Sequence, residues 1–467
     1  MSPWPRGLVN RPGIEQTRRM SSVATQTDAP RALAGKRLLV VLGSYRSKRH
    51  IYERARELGV LLVVLDGPGH WMRTCAGPSG LVERHLSVDL GPLSTFVDRA
   101  VEAVMGAGMS FDGIGTIDEF AGGFTARIAE RIGLPFHSIG AADLARDKHR
   151  AREACAAAGL PGPAFARIES ASGLVGAGER VGFPAVLKPV SGVGSVQTYR
   201  VEGPRDLAER YESIAAEVDR AHSTLRVELS SDRNWFDLMW SGVPTLTLES
   251  WIEGAKYDVD LLLDEGEVVY AHATDDLEPC GLRDVRRVAP AGLETGAESE
   301  LITHAAACVR ALGFRRGAFN VEVKRTVPGP RMIEVNGRLG GYSTTDIHRA
   351  VWGVDLVEQW LRSSLDLPLT PRELKPACFV AESLLPSPRT GVLQRELVLD
   401  PLRLAHEVVA ARPWAFVGDT VAGVETGAPD WLGALLTRGS TRGQALAELD
   451  RRLGELEPPV IFEGETE

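Results

Sequence analysis

Thiol chemistry has little place in this sequence. The five cysteines, at positions 75, 155, 280, 308 and 378, are odd in number, widely scattered and never spaced C-x-x-C. This excludes a disulfide framework and a zinc site and fits a reducing compartment. No run of about 18 apolar residues occurs, so no membrane span is expected and the chain reads as soluble and cytoplasmic. Charge of one sign is missing as well: 53 basic and 62 acidic residues are well mixed and leave a net charge of -9. That argues against nucleic acid as a partner. G-x-G-x-x-G, G-K-[ST] and G-x-S-x-G are all absent. A dinucleotide turn, a Walker loop and a hydrolase elbow thus lack their signatures, and a covalent enzyme intermediate is not required. Lysine is scarce, only seven of the 53 basic residues, so the place of each one carries information.

What is present allows about three domains, with 467 residues of which 44% are hydrophobic. Residues 1–35 are rich in Arg, Ser, Thr and Pro and read as a disordered tail. Arginine with few acids also resembles a transit peptide, and a start at Met20 is an equal alternative. Over 36–140 the strands LLVVLG, VLLVVLDG and FDGIGTID alternate with helices at about 48–58, TFVDRAVEAVMG and GGFTARIAERIG. Continuous apolar runs between amphipathic helices mean a doubly wound α/β domain. Residues 141–250 read as a second unit with a helix, RDKHRAREACAAAG, a short strand ending near Lys188 and a polar helix over about 203–221. Residues 251–370 hold a hairpin, YDVDLLLDEGEVVYAHA, a helix over 297–313, a second hairpin and a helical connection with Trp352 and Trp360 in the core. Residues 371–467 read as a small closing α+β domain of short strands, ACFVAES, GVLQREL and a run near 421, and a final helix, QALAELDRRLGEL.

The second hairpin, FNVEVKRTVPGPRMIEVNGRLGGY over 319–342, organises the chain. Alternation puts Asn320, Glu322 and Lys324 on one face and Phe319, Val321 and Val323 on the other; in the second arm Glu334 and Asn336 oppose Ile333 and Val335. Pro328-Gly329-Pro330 supplies the turn. A fold-back centred there sets Glu322 opposite Glu334 and Asn320 opposite Asn336, where carboxylates about 5 Å apart at Cβ repel unless a cation lies between them. Carboxylate and amide oxygens without imidazole or thiolate suit magnesium or manganese. The plainer reading is a hairpin with acids on its wet face. Against it stands the continuation Gly337-Arg338-Leu339-Gly340-Gly341, where an arginine can hold a phosphoryl group or an oxyanion beside the metal.

Two lysines stand where phosphate contacts are wanted. Lys148 opens a helix, and Lys188 precedes Ser191-Gly192-Val193-Gly194-Ser195, a loop whose N–H groups can wrap anionic oxygens and which can close as a lid. A solvated surface lysine and an ordinary hairpin loop are the plainer readings. Glu249, Ser250, Trp251 and Ile252 form a strand-to-turn peptide that can read a base edge through backbone groups, or a plain edge strand. Arg286 and Arg287, before Pro290, are candidates to clamp a substrate carboxylate, with His272 and Asp276 behind them. Two surface arginines in an arginine-rich chain are the alternative, and His348 reads as structural.

Two lysines about forty residues apart, a glycine loop, an E-x-W-I-E-G linker, then E-x-V and I-E-V-N-G-R strands together resemble the ATP-grasp superfamily over about residues 36–400. Within it, GSYRSKRHIYERARELGVLLVVLDGPGHW, ESWIEGAKYDVDLLL and IEVNGRLGGY are most similar to carboxylate-amine ligases that join amino acids, such as L-amino acid (dipeptide) ligases and carnosine synthases. The resemblance implies an N-terminal α/β domain, a central lid and a C-terminal ATP-grasp half, of mixed α/β and α+β class, with ATP between two antiparallel sheets. It implies Lys148 and Lys188 on the ATP phosphates, with Ser191, Gly192, Gly194 and Ser195 over them, and 249–252 at the adenine. It also implies two Mg2+ ions, or Mn2+, on Glu322, Glu334 and Asn336, and Arg338 acting with Lys188 on the reacting phosphoryl group, with Gly340 and Gly341 on the substrate side. Family members commonly place a glutamate for the ribose shortly after the linker glycine; here Lys256 stands there, which leaves Asp258 as its substitute.

The reaction so implied has a carboxylate attack the γ-phosphate of ATP to give an acyl phosphate and ADP, after which an amine displaces phosphate. Another ATP-grasp ligase, of biotin-carboxylase or purine-pathway type, is an alternative, as is a non-catalytic nucleotide-binding protein. The family resemblance leaves a homodimer open.

Overall fold

The computed structural model describes residues 32–456 except 78–79, 193, 226–244, 281, 396 and 427–428. Residues 1–31 of the expected tail, and Val193 of the glycine loop, therefore lie outside the described residues. Leu33 is already fully buried, and Gly35 donates to the Gly59 carbonyl at 2.8 Å, so the folded part begins slightly before the expected position 36.

The first layer comprises β1 (Arg37–Val41), α1 (Arg49–Glu57), β2 (Leu61–Asp66), β3 (Arg84–Ser87), α2 (Phe96–Gly106), β4 (Gly113–Gly115) and α3 (Gly122–Ile132). Its strands are parallel, in the order β3-β2-β1-β4. Leu38, Val40 and Val64 pack on one face with Ile51 and Tyr52, while Leu39, Val41 and Val63 pack on the other with Phe96 and Ile128. Burial on both faces is why these strands read as unbroken apolar runs. Strand β3, RHLS, lies at the edge and carries no such signature.

The central unit follows with α4 (Ile139–Arg146), α5 (Lys148–Ala157), β5 (Phe165–Ile168), α6 (Leu174–Val181), β6 (Ala185–Pro189), β7 (Tyr199–Val201), α7 (Pro204–Leu225) and β8 (Leu246–Ser250). Its antiparallel sheet runs β5-β8-β6-β7. The Asp147 carboxylate caps α5, accepting from the Arg150 N–H at 3.0 Å, and thereby fixes where Lys148 emerges.

The remainder is built on β9 (Ala255–Asp264), β10 (Glu267–Cys280), β11 (Arg283–Ala289), α8 (Thr295–Ala311), β12 (Gly317–Thr326), β13 (Gly329–Asn336), α9 (Thr344–Trp352) and α10 (Leu356–Ser364). It continues with β14 (Phe379–Pro386), β15 (Gly391–Val392), β16 (Val408–Pro413), β17 (Thr420–Val421), β18 (Trp431–Gly439) and α11 (Arg442–Gly454). One sheet orders these strands β13-β12-β9-β10-β11-β14-β18-β16, with β15 and β17 as a separate pair. The division expected at 370 thus falls inside a continuous sheet: β14, β18 and β16 extend it rather than forming a layer of their own. No helix among the described residues is long and apolar enough to cross a membrane.

Strand alternation gives this sheet two unlike faces. Val259, Leu261, Val321 and Val335 pack under Leu301, Ala305 and Val309 of α8. The opposite face carries the polar side chains described next.

Candidate functional site

The second hairpin folds in the expected register, with Asn320 opposite Asn336 and Glu322 opposite Glu334. β9 continues both rows, since Asn320 pairs with Asp260 and Glu322 with Asp258. One expectation fails here. The register shifts between Glu322 and Val323, so Met332, not Ile333, enters the core below; a bulge turns one side chain over.

Helix α5 places Lys148 and Arg152 four residues apart, on one face. The Lys148 ammonium donates to the Gly192 carbonyl at 2.6 Å and lies 2.7 Å from Glu334. Just before it, Arg146 donates to the Ser191 carbonyl. The loop is thus held at two successive carbonyls, and Ser195 ties it to the β10–β11 turn through the Leu282 carbonyl at 3.0 Å. Gly194 and Ser195 both have left-handed φ, 58° and 56°.

Lys188 and Arg152 grip one oxygen of Glu249 at 3.0 and 2.8 Å, all three side chains being buried. Burial pushes the Glu249 carboxyl up, but Arg152 and Lys188 outweigh it and hold it at about 2. Burial also pulls the Lys188 ammonium below the usual lysine range. The linker expected at the adenine makes several contacts within the chain. The Glu249 side chain serves the two cations, the Ser250 N–H donates to the Ala164 carbonyl at 2.8 Å, and the Trp251 N–H donates to the Pro184 carbonyl at 3.0 Å. The Ile252 carbonyl accepts from Lys324 at 2.9 Å, and the Trp251 ring lies between Arg200 and Lys324, each 4.4 Å from its centroid.

On the polar face, the Lys256 ammonium lies 3.0 Å from Glu322 and 3.1 Å from Asp276. Asp258, the substitute expected at the ribose, is buried and lies 3.3 Å from Arg287. No group of three or more His, Cys, Asp or Glu side chains gathers as a metal cage among the described residues. The chain therefore offers Glu322, Glu334 and Asn336, hard donors in facing positions, and would leave further coordination to phosphate and water. That donor set fits magnesium.

Arg338 bonds Glu119, which follows β4, and donates to the Leu339 carbonyl at 2.8 Å and to Asn336 at 3.4 Å. Burial pushes Glu119 up, yet Arg338, Arg146 and Lys148 outweigh it, and the carboxyl sits below its usual range. Glu119 and Arg146 were missed in the sequence. The signal for Glu119 was available: Asp118-Glu119 come three and four residues after a parallel strand, at the end where ligands meet in such folds. Arg146 lies two residues before Lys148, with no motif to mark it.

Three substrate candidates are corrected. Neighbouring strand residues face opposite sides, so Arg286 and Arg287 cannot clamp one carboxylate together. Arg286 turns to Asp450 of α11, while Arg287 is buried on Glu382, with Asp258 and Thr344 (3.2 Å) beside it. His272 lies 3.1 Å from Glu298 and 2.8 Å from Glu373 and stacks on Trp352 at 4.2 Å. His348 is structural as read, fully buried between the Tyr270 hydroxyl (2.7 Å) and Asp260 (3.2 Å). Gly340 packs close, since a Cβ there would lie 2.5 Å from Asp260 Oδ1, whereas one at Gly341 would meet nothing within 4 Å.

Known proteins resemble this chain in sequence and in fold. Residues 52–136 match the model of an ATP-grasp N-terminal domain and residues 181–346 that of an ATP-grasp domain. Human carnosine synthase 1 is 28% identical over 339 residues, covering 70% of this chain and 39% of that protein. Alanine–anticapsin ligase of Bacillus subtilis is 25% identical, covering 60% of this chain and 61% of the relative. The chain spans about two fifths of the carnosine synthases it matches. In fold, the L-amino acid ligase of Bacillus licheniformis superposes with a TM-score of 0.75 at 21% identity, over 92% of this chain and 99% of that one. With both domains matched, amino acid ligases among its relatives and this fold, the chain belongs to the ATP-grasp superfamily of ligases.

Proposed function

We propose that the protein is an ADP-forming carboxylate-amine ligase that joins an amino acid, or a related carboxylate, to an amine or a second amino acid. One observation carries this reading: Lys148 touches the glycine loop at Gly192 (2.6 Å) and the hairpin carboxylate Glu334 (2.7 Å). A phosphate-binding cation, a small-residue loop and a hard-ligand hairpin thus meet at one point. Relatives named as amino acid ligases support the amide-forming chemistry.

In this reading Lys148 and Lys188 hold the ATP phosphates under the 191–195 loop. Glu322, Glu334 and Asn336 would hold Mg2+, which when bound draws charge from the phosphate oxygens. A substrate carboxylate oxygen attacks the γ-phosphorus, the bond to ADP breaks, and an acyl phosphate forms. The amine nitrogen then adds to the acyl carbon, and phosphate leaves as the amide forms. Arg338, kept in place by Glu119, faces the oxyanion of that second step, where a prepositioned cation contributes most.

Coupled ADP release measured over a matrix of amino acids and amines tests the proposal. Turnover that needs an amine supports it. Turnover that needs bicarbonate instead, or nucleotide binding without turnover, would replace it with a carboxylase-type ligase or a non-catalytic binder.

A further inference from the structure

Five buried side chains, Tyr270, His348, Asp260, Asn320 and Asn336, form a row beside the hairpin carboxylates, and the chemistry proposed above uses only the last of them. Asp260, Asn320 and Asn336 are register partners on β9, β12 and β13, so strand alternation sends all three to the polar face in one line. His348 reaches that line from α9 and Tyr270 from β10. Every link is a hydrogen bond. The Tyr270 hydroxyl lies 2.7 Å from His348 Nδ1, and His348 Nε2 lies 3.2 Å from Asp260. The Asn320 NH2 donates to Asp260 at 3.1 Å, and the Asn336 NH2 donates to the Asn320 oxygen at 3.0 Å.

The row has a direction, and Asp260 sets it. A carboxylate only accepts, so His348 offers it the Nε2 proton and keeps Nδ1 to accept from Tyr270. On the other side the Asn320 NH2 faces Asp260, the Asn320 oxygen faces Asn336, and the Asn336 NH2 points back along the row. That turns the Asn336 oxygen to the open end, where Arg338 donates to it at 3.4 Å. There it also meets both Glu119 oxygens at 3.2 Å, acceptor against acceptor. Turning the Asn336 amide round would offer Glu119 a donor, but it would set NH2 against the Arg338 donor and two carbonyl oxygens 3.0 Å apart. Turning Asn320 as well would only move the conflict to Asp260, 3.1 Å away. An acceptor left facing an acceptor is costly wherever it falls. Only at the open end can a bound cation remove it.

We propose that Asp260 is a positioning residue for the divalent ion: through Asn320 it locks the Asn336 amide with its oxygen towards the metal, while His348 and Tyr270 hold Asp260 in place. This rests on the reading that Glu322, Glu334 and Asn336 hold Mg2+, and it adds residues that touch no ligand themselves. Gly340 belongs to the same device, because a Cβ there would lie 2.5 Å from Asp260 Oδ1 and press on the carboxylate.

Asp260→Asn tests the lock at nearly constant shape. Its new NH2 can serve the Asn320 oxygen, so the whole row can reverse and present the Asn336 NH2 to the open end. Binding of Mn2+ to the full chain with ADP, followed by electron paramagnetic resonance, should weaken by about tenfold or more. A carboxylate has no wrong side, so in an Asn336→Asp background the same Asp260→Asn change should alter Mn2+ affinity by no more than about twofold. A merely structural role would instead lower the thermal midpoint in EDTA and leave the Mn2+ affinity of the folded protein unchanged. Equal Mn2+ affinity in the wild type and Asp260→Asn overturns the lock, as does an equal loss in the Asn336→Asp background. Should Asp260→Asn not fold, Asn320→Leu cuts the same link and must weaken Mn2+ in the wild-type background alone, or the lock is overturned. A wild type that binds no Mn2+ with ADP, or Mn2+ binding that survives Glu334→Ala, would sink the metal reading and the lock with it.

Discussion

Glu249→Gln removes one charge from a buried triad and keeps its shape. In the wild type a single oxygen accepts from Arg152 at 2.8 Å and from Lys188 at 3.0 Å, with side-chain exposures of 4–7%. The carboxyl is held at about 2 against an ordinary 4.5, a gap worth about 3 kcal/mol of folding stability. Because the folded value is the lower one, this stability is complete above about pH 4.5 and is lost as the pH falls towards 2. In the variant two buried cations face each other without a counter-charge, a situation that costs about 3–5 kcal/mol when one member of a buried pair is deleted. Lys188, already pulled down by burial, would then shed its proton more readily, which on the proposed reading weakens its hold on phosphate. Urea unfolding at pH 7 should show the variant less stable by about 3 kcal/mol at unchanged denaturant dependence. The difference should shrink between pH 5 and 3, and affinity for a non-hydrolysable ATP analogue should fall. Equal midpoints at pH 7, or a gap that persists in acid, would refute the reasoning.

Glu334→Ala deletes the partner of Lys148 and, on the proposed reading, a metal donor; the barrier to ADP release should rise by about 2–4 kcal/mol, and unchanged ADP formation would contradict the assignment. Arg338→Lys keeps the charge but loses the fork shared among Glu119, Leu339 and Asn336, so kcat should drop about a hundredfold with far less effect on KM for ATP. Gly340→Ala drives a Cβ to 2.5 Å from Asp260 and 2.8 Å from Thr344; calorimetry should show a loss of about 1–3 kcal/mol. Arg286→Ala, which cuts the tie to Asp450 on the far side of the sheet, should leave KM for every substrate within about twofold, given how little such surface pairs contribute. A steep rise in KM would return Arg286 to the site.

The hairpin was legible because its signals are local: alternation, a Pro-Gly-Pro turn and two acids at mirrored distances from it set the pairing of Glu322 with Glu334. The parallel strands were legible for the same reason, through apolar runs buried on both faces. Ile333 went astray because a bulge leaves no mark in a pattern of alternating residues. Strands β16 and β18 were missed because VVAARP and WLGALLTRG lack clean alternation, and their place in the sheet depends on β14, far from them in sequence. The partners of Arg338 and Lys188 were beyond reach for a different reason. Glu119 is 219 residues from Arg338 and Glu249 is 61 from Lys188, and no single motif spans such separations. Arg286 and Arg287 show the converse error, in which adjacency in the chain stood in for adjacency in space although a strand sends neighbours to opposite sides.

The long sheet has a consequence for how this enzyme can evolve. Glu382, on β14, is what neutralises Arg287, and Arg287 in turn lies against Asp258, next to Glu322 in the same row. A segment that carries no recognisable motif thus bears on the charge felt by the motif-bearing hairpin four strands away. If the hairpin holds a metal as proposed, natural variants altered only near residue 382 should differ in how strongly it draws that ion, a drift that inspection of the motifs alone would never flag.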